Sequence, residues 1–166
     1  MINGYLRADG RKGIRNTVVV AYLVECAHFV ASEIVAGFRG QDVQQIGFPG
    51  CFPNEYAAQM MERLCTHPNV GATLFVSLGC ESFDKVRVAN AVDTSSRPVK
   101  TLVIQKTGGT RSTVQAGRDW VSETLATIAH TARAPMGVDE LIIGTVCGGS
   151  DGTSGISGNP AAGKAF

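Results

Sequence analysis

The chain has 166 residues, enough to bury a core for one layered domain and the start of a second. Apolar residues make up 44% and charged residues 17%, with a formal charge of +1, which excludes a disordered polyelectrolyte and a basic nucleic-acid-binding surface. No apolar run approaches the ~20 residues that a membrane span needs, and the N-terminus MINGYLRADGRKGIR lacks the apolar core of a secretory signal.

A soluble, cytoplasmic protein is therefore expected, with a small molecule or another protein surface as partner and neither nucleic acid nor membrane. Five cysteines, an odd number scattered along the chain, fit a reduced compartment better than a disulfide framework.

The first dozen residues are rich in Gly, Arg and Asp. Thr17 to Val24 (TVVVAYLV) then reads as a buried strand, and Cys26 to Phe38 as a helix with Phe29, Ile34, Val35 and Phe38 near helical spacing. The pattern recurs. A strand over Asp42 to Phe48 leads through PGCFPN to a helix from Glu55 to Cys65, with Asn54 placed to cap it. A strand over Ala72 to Gly79 leads through Cys80, Glu81 and Ser82 to a helix around FDKVRVANAV. A strand over Val99 to Lys106 leads through TGGT to a long helix from about Arg111 to Ala132, and a fifth strand is expected over Glu140 to Val146.

This alternation predicts an α/β fold: a three-layer, mostly parallel, doubly wound sheet of about five strands, Rossmann-like or flavodoxin-like. Residues 1–133 would form the α/β domain and 134–166 the start of a further domain. The tail CGGSDGTSGISGNPAAGKAF has little to pack and stops where a helix would begin, so the chain reads as a truncated piece.

The turns PGCFPN, GCES, KTGGT and CGGSDGTSG all follow predicted strands, and the carboxyl ends of parallel strands form the ligand crevice in such folds. Cys51, Cys80 and Cys147 would converge there, where thiolates hold metals or act as nucleophiles. No CxxC spacing is present, and buried free cysteine also serves packing, the role assigned to Cys26 and Cys65. Glu81 and Asp151 offer carboxylates for a metal or a proton, with helix capping as the structural alternative for Glu81. Arg7, Arg11 and Arg15, four residues apart, suit an acidic substrate, or else a solvated arm. Of the three histidines, His28 is placed to act as a general base, whereas His67 and His130 have structural explanations. The KTGGT and CGGSDGTSG turns present N–H groups at helix starts, though neither is a Walker A loop or a dinucleotide fingerprint.

In order, GYLRADGRKGIRN, SLGCE (Ser77 to Glu81), QKTGGT (Gln105 to Thr110) and CGGSDGTSGISGNPAAG resemble the motifs of the altronate/galactarate dehydratase family. The resemblance covers essentially the whole chain, as second domain and opening of the C-terminal domain of a large subunit. It departs at FPGCFPN, where many relatives carry a histidine before the cysteine.

What the resemblance implies is a hydro-lyase converting a sugar acid, altronate, galactarate or a related hydroxy acid, to a 2-keto-3-deoxy acid. A sulfo-lyase acting on sulfolactate belongs to the same family. The implied metal is Fe2+, with Mn2+ or another divalent ion in its place, ahead of an iron-sulfur cluster. It would be held by Cys51, Cys80 and Cys147 with Glu81 or Asp151 adding an oxygen. Substrate contacts would come from Arg7, Arg11, Arg15, Gln105, Gly109, Thr110, Ser150 and Asn159, and catalysis from Glu81, Asp151 and His28. Implied partners are the remainder of the large subunit and a small N-terminal-type domain or subunit, in an assembly open to homo-oligomerisation, so this piece alone should be inactive. The rival readings are a non-catalytic anion-binding or small-molecule-binding module and an iron-sulfur or redox-sensing protein.

Overall fold

A computed structural model of the chain describes residues 2–146, 148, 149 and 151–165. Two sheets carry the structure. In chain order, β1 (Ile2–Leu6) and β2 (Lys12–Gly13) are followed by β3 (Thr17–Tyr22), α1 (His28–Ala36), β4 (Val43–Gly47), α2 (Glu55–Cys65) and β5 (Val70–Ser77). Then come α3 (Lys85–Thr94), β6 (Val99–Val103), the short α4 (Ile104–Thr107), α5 (Thr110–Ile128), β7 (Arg133–Met136) and α6 (Asn159–Ala165).

The parallel sheet has the order β4-β3-β5-β6. The chain therefore starts near the middle and winds outward both ways, the doubly wound arrangement. All eight residues of β5 are buried, because the strand is central and covered on both faces. One face packs Val18, Val20, Leu74 and Val76 against α1 and α5 through Ile34 and Val121. The other packs Val19, Ala21 and Phe75 against α2 and α3 through Met61, Cys65, Val88 and Val92. Alternate residues of β3 thus feed two cores, as the period of a strand requires.

The parallel sheet has four strands where about five were expected. Leu141 to Val146 pairs with nothing among the described residues, and Ile142 and Val146 are 97% and 94% exposed. Their β-branched composition signals a strand, but a strand needs a neighbour to satisfy its backbone groups. A second sheet went unforeseen: β2-β1-β7, all antiparallel, pairs Ile2 with Met136 and Tyr5 with Gly13. It joins the two ends of the α/β unit, so the Arg-rich opening is built into the body.

Candidate functional site

Each parallel strand ends in a turn on the same edge. The Glu25 N–H donates to the Pro49 carbonyl (3.3 Å), Ser82 N–H to the Cys51 carbonyl (2.9 Å) and Gln105 N–H to the Leu78 carbonyl (3.2 Å). The turns after β3, β4, β5 and β6 are thereby stitched into one continuous rim.

Among the described residues three exposed thiols belong to this rim: Cys26 on the one-turn 3-10 helix Glu25–Ala27, Cys51 and Cys80. The sequence places Cys26 in the core, whereas the structure exposes it. The helix reading was right, but the first turn of a helix after a strand points past the sheet edge, so its side chain meets solvent. Cys65 does lie in the core, where burial pushes its thiol up to about 12.

Glu81 is buried, and its carboxylate is turned inward. It accepts from the Ser77 hydroxyl and, at 2.8 Å, from the Gly79 N–H. Burial opposes its charge, but these two bonds, its own backbone N–H and Lys85 outweigh that and hold it below the usual glutamate range. The loop it fixes needs Gly79 at a φ of 125°, a left-handed conformation that glycine adopts without strain. Glu81 therefore shapes the turn that carries Cys80 and leaves little of its carboxylate free for a ligand.

His28 opens α1 beside the same edge, exposed, with Nδ1 3.7 Å from Glu25 Oε1 and Nε2 3.4 Å from Ser32 Oγ. Its ring stands edge-on to Tyr22 at 5.1 Å. Gln105, Gly109 and Thr110 form the rim beyond β6, with Gly108 and Gly109 both at positive φ so that α5 starts abruptly.

The arginines lie at the other edge. Arg7 is buried and donates to the carbonyls of Pro68 (2.7 Å) and Arg15 (3.0 Å) and to Asn16 Oδ1 (2.8 Å), all just ahead of β3 or β5. Arg11 chelates Asp9 and reaches the Thr66 carbonyl, and Arg15 lies 3.6 Å from Asp42, just ahead of β4. The expected clamp thus does not meet the thiols. The three arginines flank β1 and β2 and the tight turn between them, which fold them around the amino ends of the sheet.

Asp151 is exposed and engaged in its own turn. It accepts from the Thr153 N–H and hydroxyl, both at 2.7 Å, which hold its carboxyl below the usual range. Asn159 is exposed at the start of α6. Cys147 and Ser150 lie outside the described residues. Among the described residues no group of three or more His, Cys, Asp or Glu side chains is placed to hold a metal ion. Of the residues named for the iron site, Cys51 and Cys80 are exposed on this rim and the Glu81 carboxylate faces inward. No described helix is long and apolar enough to cross a membrane.

Residues 4–129 match the family model of D-galactarate dehydratase/altronate hydrolase, second domain, and residues 138–166 match D-galactarate/altronate dehydratase, C-terminal. The chain is 28% identical to altronate dehydratase of Escherichia coli (strain K12), over 96% of this chain and 34% of that protein. It is 29% identical to altronate dehydratase of Bacillus subtilis (strain 168), over 97% of this chain and 35% of that protein. Against (2R)-sulfolactate sulfo-lyase subunit beta of Chromohalobacter salexigens the identity is 28%, over 98% of this chain and 42% of that protein. The chain spans about a third of the length of these altronate dehydratases. No solved structure matches it.

Proposed function

Since the chain belongs to the D-galactarate dehydratase/altronate hydrolase family, we propose that it forms part of a cytoplasmic hydro-lyase acting on a sugar acid such as altronate or galactarate. The observation that carries this reading is the family match over residues 4–129, on a fold whose four strand ends form one rim of polar and thiol-bearing turns.

Dehydration removes the proton next to the carboxylate, expels a hydroxyl from the adjoining carbon as water and leaves an enol that tautomerises to the 2-keto-3-deoxy acid. In this assignment His28 takes the proton, as the imidazole at the carboxyl edge among the described residues. Gln105 and Thr110 bind substrate hydroxyls, and Cys51 and Cys80 line the crevice. Glu81 keeps the Cys80 turn in shape. Fe2+ or another divalent ion, where bound, would be held by Cys51 and Cys80 together with Cys147, and none of the roles above is routed through it. The remaining walls come from the part of the enzyme to which the other two thirds of the relatives' length corresponds.

Likeness to a sulfo-lyase subunit over nearly the whole chain supports one further substrate, sulfolactate, with sulfite as the leaving group in place of water. The test is turnover by the polypeptide containing this chain, purified anaerobically and given altronate, galactarate or sulfolactate. Formation of a 2-keto-3-deoxy acid is the expected result. Sulfite release would move the assignment to the sulfo-lyase, and no turnover of any of the three would overturn it.

A further inference from the structure

Arg97, just ahead of β6, is 5% exposed, and its Nε donates to the Val70 carbonyl at 3.0 Å. Its two terminal nitrogens, Nη1 and Nη2, are buried and have no hydrogen-bond partner among the described residues. A guanidinium does not shed its proton at any ordinary pH, so its charge stays. An unpaired buried charge costs several kcal/mol, and native folds seldom leave one uncompensated.

The neighbouring groups do not supply the missing charge. Arg7, 7% exposed, gives its donors to two carbonyls and one side-chain amide, none of them anionic. Asp9, the carboxylate that acts electrostatically on both arginines, is engaged by Arg11 through Nε at 2.9 Å, Nη2 at 2.7 Å and the backbone N–H at 3.0 Å. This corner thus sets three guanidinium groups against one carboxylate, and the carboxylate is committed to the exposed one.

A cavity of about 240 Å³ opens beside this pair, lined by Arg7, Arg97, Ser95, Ser96, His130 and Thr131 among others. Its volume suits a small polyatomic ion, and its polar groups are hydroxyls, an imidazole and cations. The excess positive charge leaves a second trace. Burial and then Arg97 lower Arg7 to about 10, and His67 is lowered by burial and by Arg11 and Arg97.

We propose that the cavity lined by Arg7 and Arg97 binds a small oxyanion, a carboxylate or phosphate group, and that Arg97 turns Nη1 and Nη2, which are covered in this structure, toward its oxygens. A guanidinium presents its donors as a planar fork that matches two oxygens of such a group. Shielding from bulk water strengthens the attraction. The site lies at the amino ends of the strands, opposite the thiol-bearing rim, and the inference does not depend on the reaction proposed above.

The test is titration of the chain with inorganic phosphate and separately with acetate, at constant ionic strength, by calorimetry and by the NMR signal of the Arg97 Nε–H. Saturable 1:1 binding that moves this signal is expected. Phosphate alone assigns a phosphate group, acetate alone a carboxylate, and both a general oxyanion site. Arg97→Met should weaken binding by about tenfold or more, the scale of a lost charged hydrogen bond. Arg39→Gln, which removes an exposed charge elsewhere, should leave it unchanged. If Arg97→Met does not fold, the wild-type signal still decides. No saturable response to either ion, or equal binding by a folded Arg97→Met, overturns the proposal.

Discussion

Ser82 donates its backbone N–H to the carbonyl of Cys51 at 2.9 Å, which ties the turn after β4 to the turn after β5 although the two residues are far apart in the chain. A backbone bond of this kind fixes relative position without regard to side chains, so the two thiol-bearing turns are held beside each other.

The accessibility of those thiols is directly measurable. Under native conditions Cys26, Cys51 and Cys80 should react with iodoacetamide within minutes at mildly alkaline pH, whereas Cys65 should react only after unfolding. Two causes act together on Cys65. Its sulfur is out of reach, and with its thiol pushed up to about 12 almost none is the reactive thiolate. Peptide mass spectrometry of the alkylated chain checks this, and early labelling of Cys65 would show that the α2 side of the core opens readily.

Glu81 should make folding stability pH-dependent. Its folded carboxyl is held below the usual value, so its contribution is complete above the unfolded value of ~4.3 and is lost as pH falls from there through the depressed folded value. Glu81→Gln should cost ~1–3 kcal/mol near neutrality, because an amide cannot satisfy both the Ser77 hydroxyl and the Gly79 N–H as well as a carboxylate does. Urea denaturation of both forms from pH 3 to 7 measures the difference. It should shrink below about pH 4.3, and a constant difference would remove Glu81 as the titrating group.

Gly13→Ala tests the seam between the two sheets. A Cβ at Gly13 would collide with the Pro68 backbone carbonyl, the same carbonyl that accepts from Arg7 Nε at 2.7 Å. Backbone cannot step aside as a flexible side chain can, so a loss of ~1–3 kcal/mol is expected. Gly144→Ala, with open space around it, should change stability by less than ~0.5 kcal/mol. Thermal melts of the two variants beside the parent decide.

The alternation of strands and helices was legible because each signal is local. The β-branched runs at Thr17 and Ala72, the cap at Asn54 and the glycines at Gly108 and Gly109 each act on a few neighbouring residues. Asn54 does accept from the Ala57 N–H at 2.9 Å. Which edge of the sheet a charged residue reaches is not local. Arg7, Arg11 and Arg15 sit at the amino ends because β1 pairs with β7, more than a hundred residues away, and nothing within GYLRADGRKGIRN announces that partner. The burial of Arg97 is non-local in the same way. In SSRPVK it reads as an ordinary solvated charge before a strand, and only burial by distant segments makes its free nitrogens significant. Two hydrophobic runs of similar composition had different outcomes for the same cause. Val70–Ser77 found neighbours on both sides, and Leu141 to Val146 found none among the described residues.

That last difference leads to a deletion experiment. Beyond Met136, 7% exposed in β7 and paired with Ile2, no described residue is buried. The apolar side chains Ile142, Ile143, Val146 and Ile156 are 66–97% exposed, so they gain almost none of the transfer free energy that burial confers. The ion pair that binds this segment to the body is Lys12 to Glu140 at 2.8 Å, and surface pairs of this kind contribute ~0–1 kcal/mol. Ending the chain after Glu140 keeps that pair and should leave the urea midpoint and its slope within error of the parent, because the slope follows the surface exposed on unfolding. A marked fall in the slope would mean that the tail buries apolar surface against the body in solution.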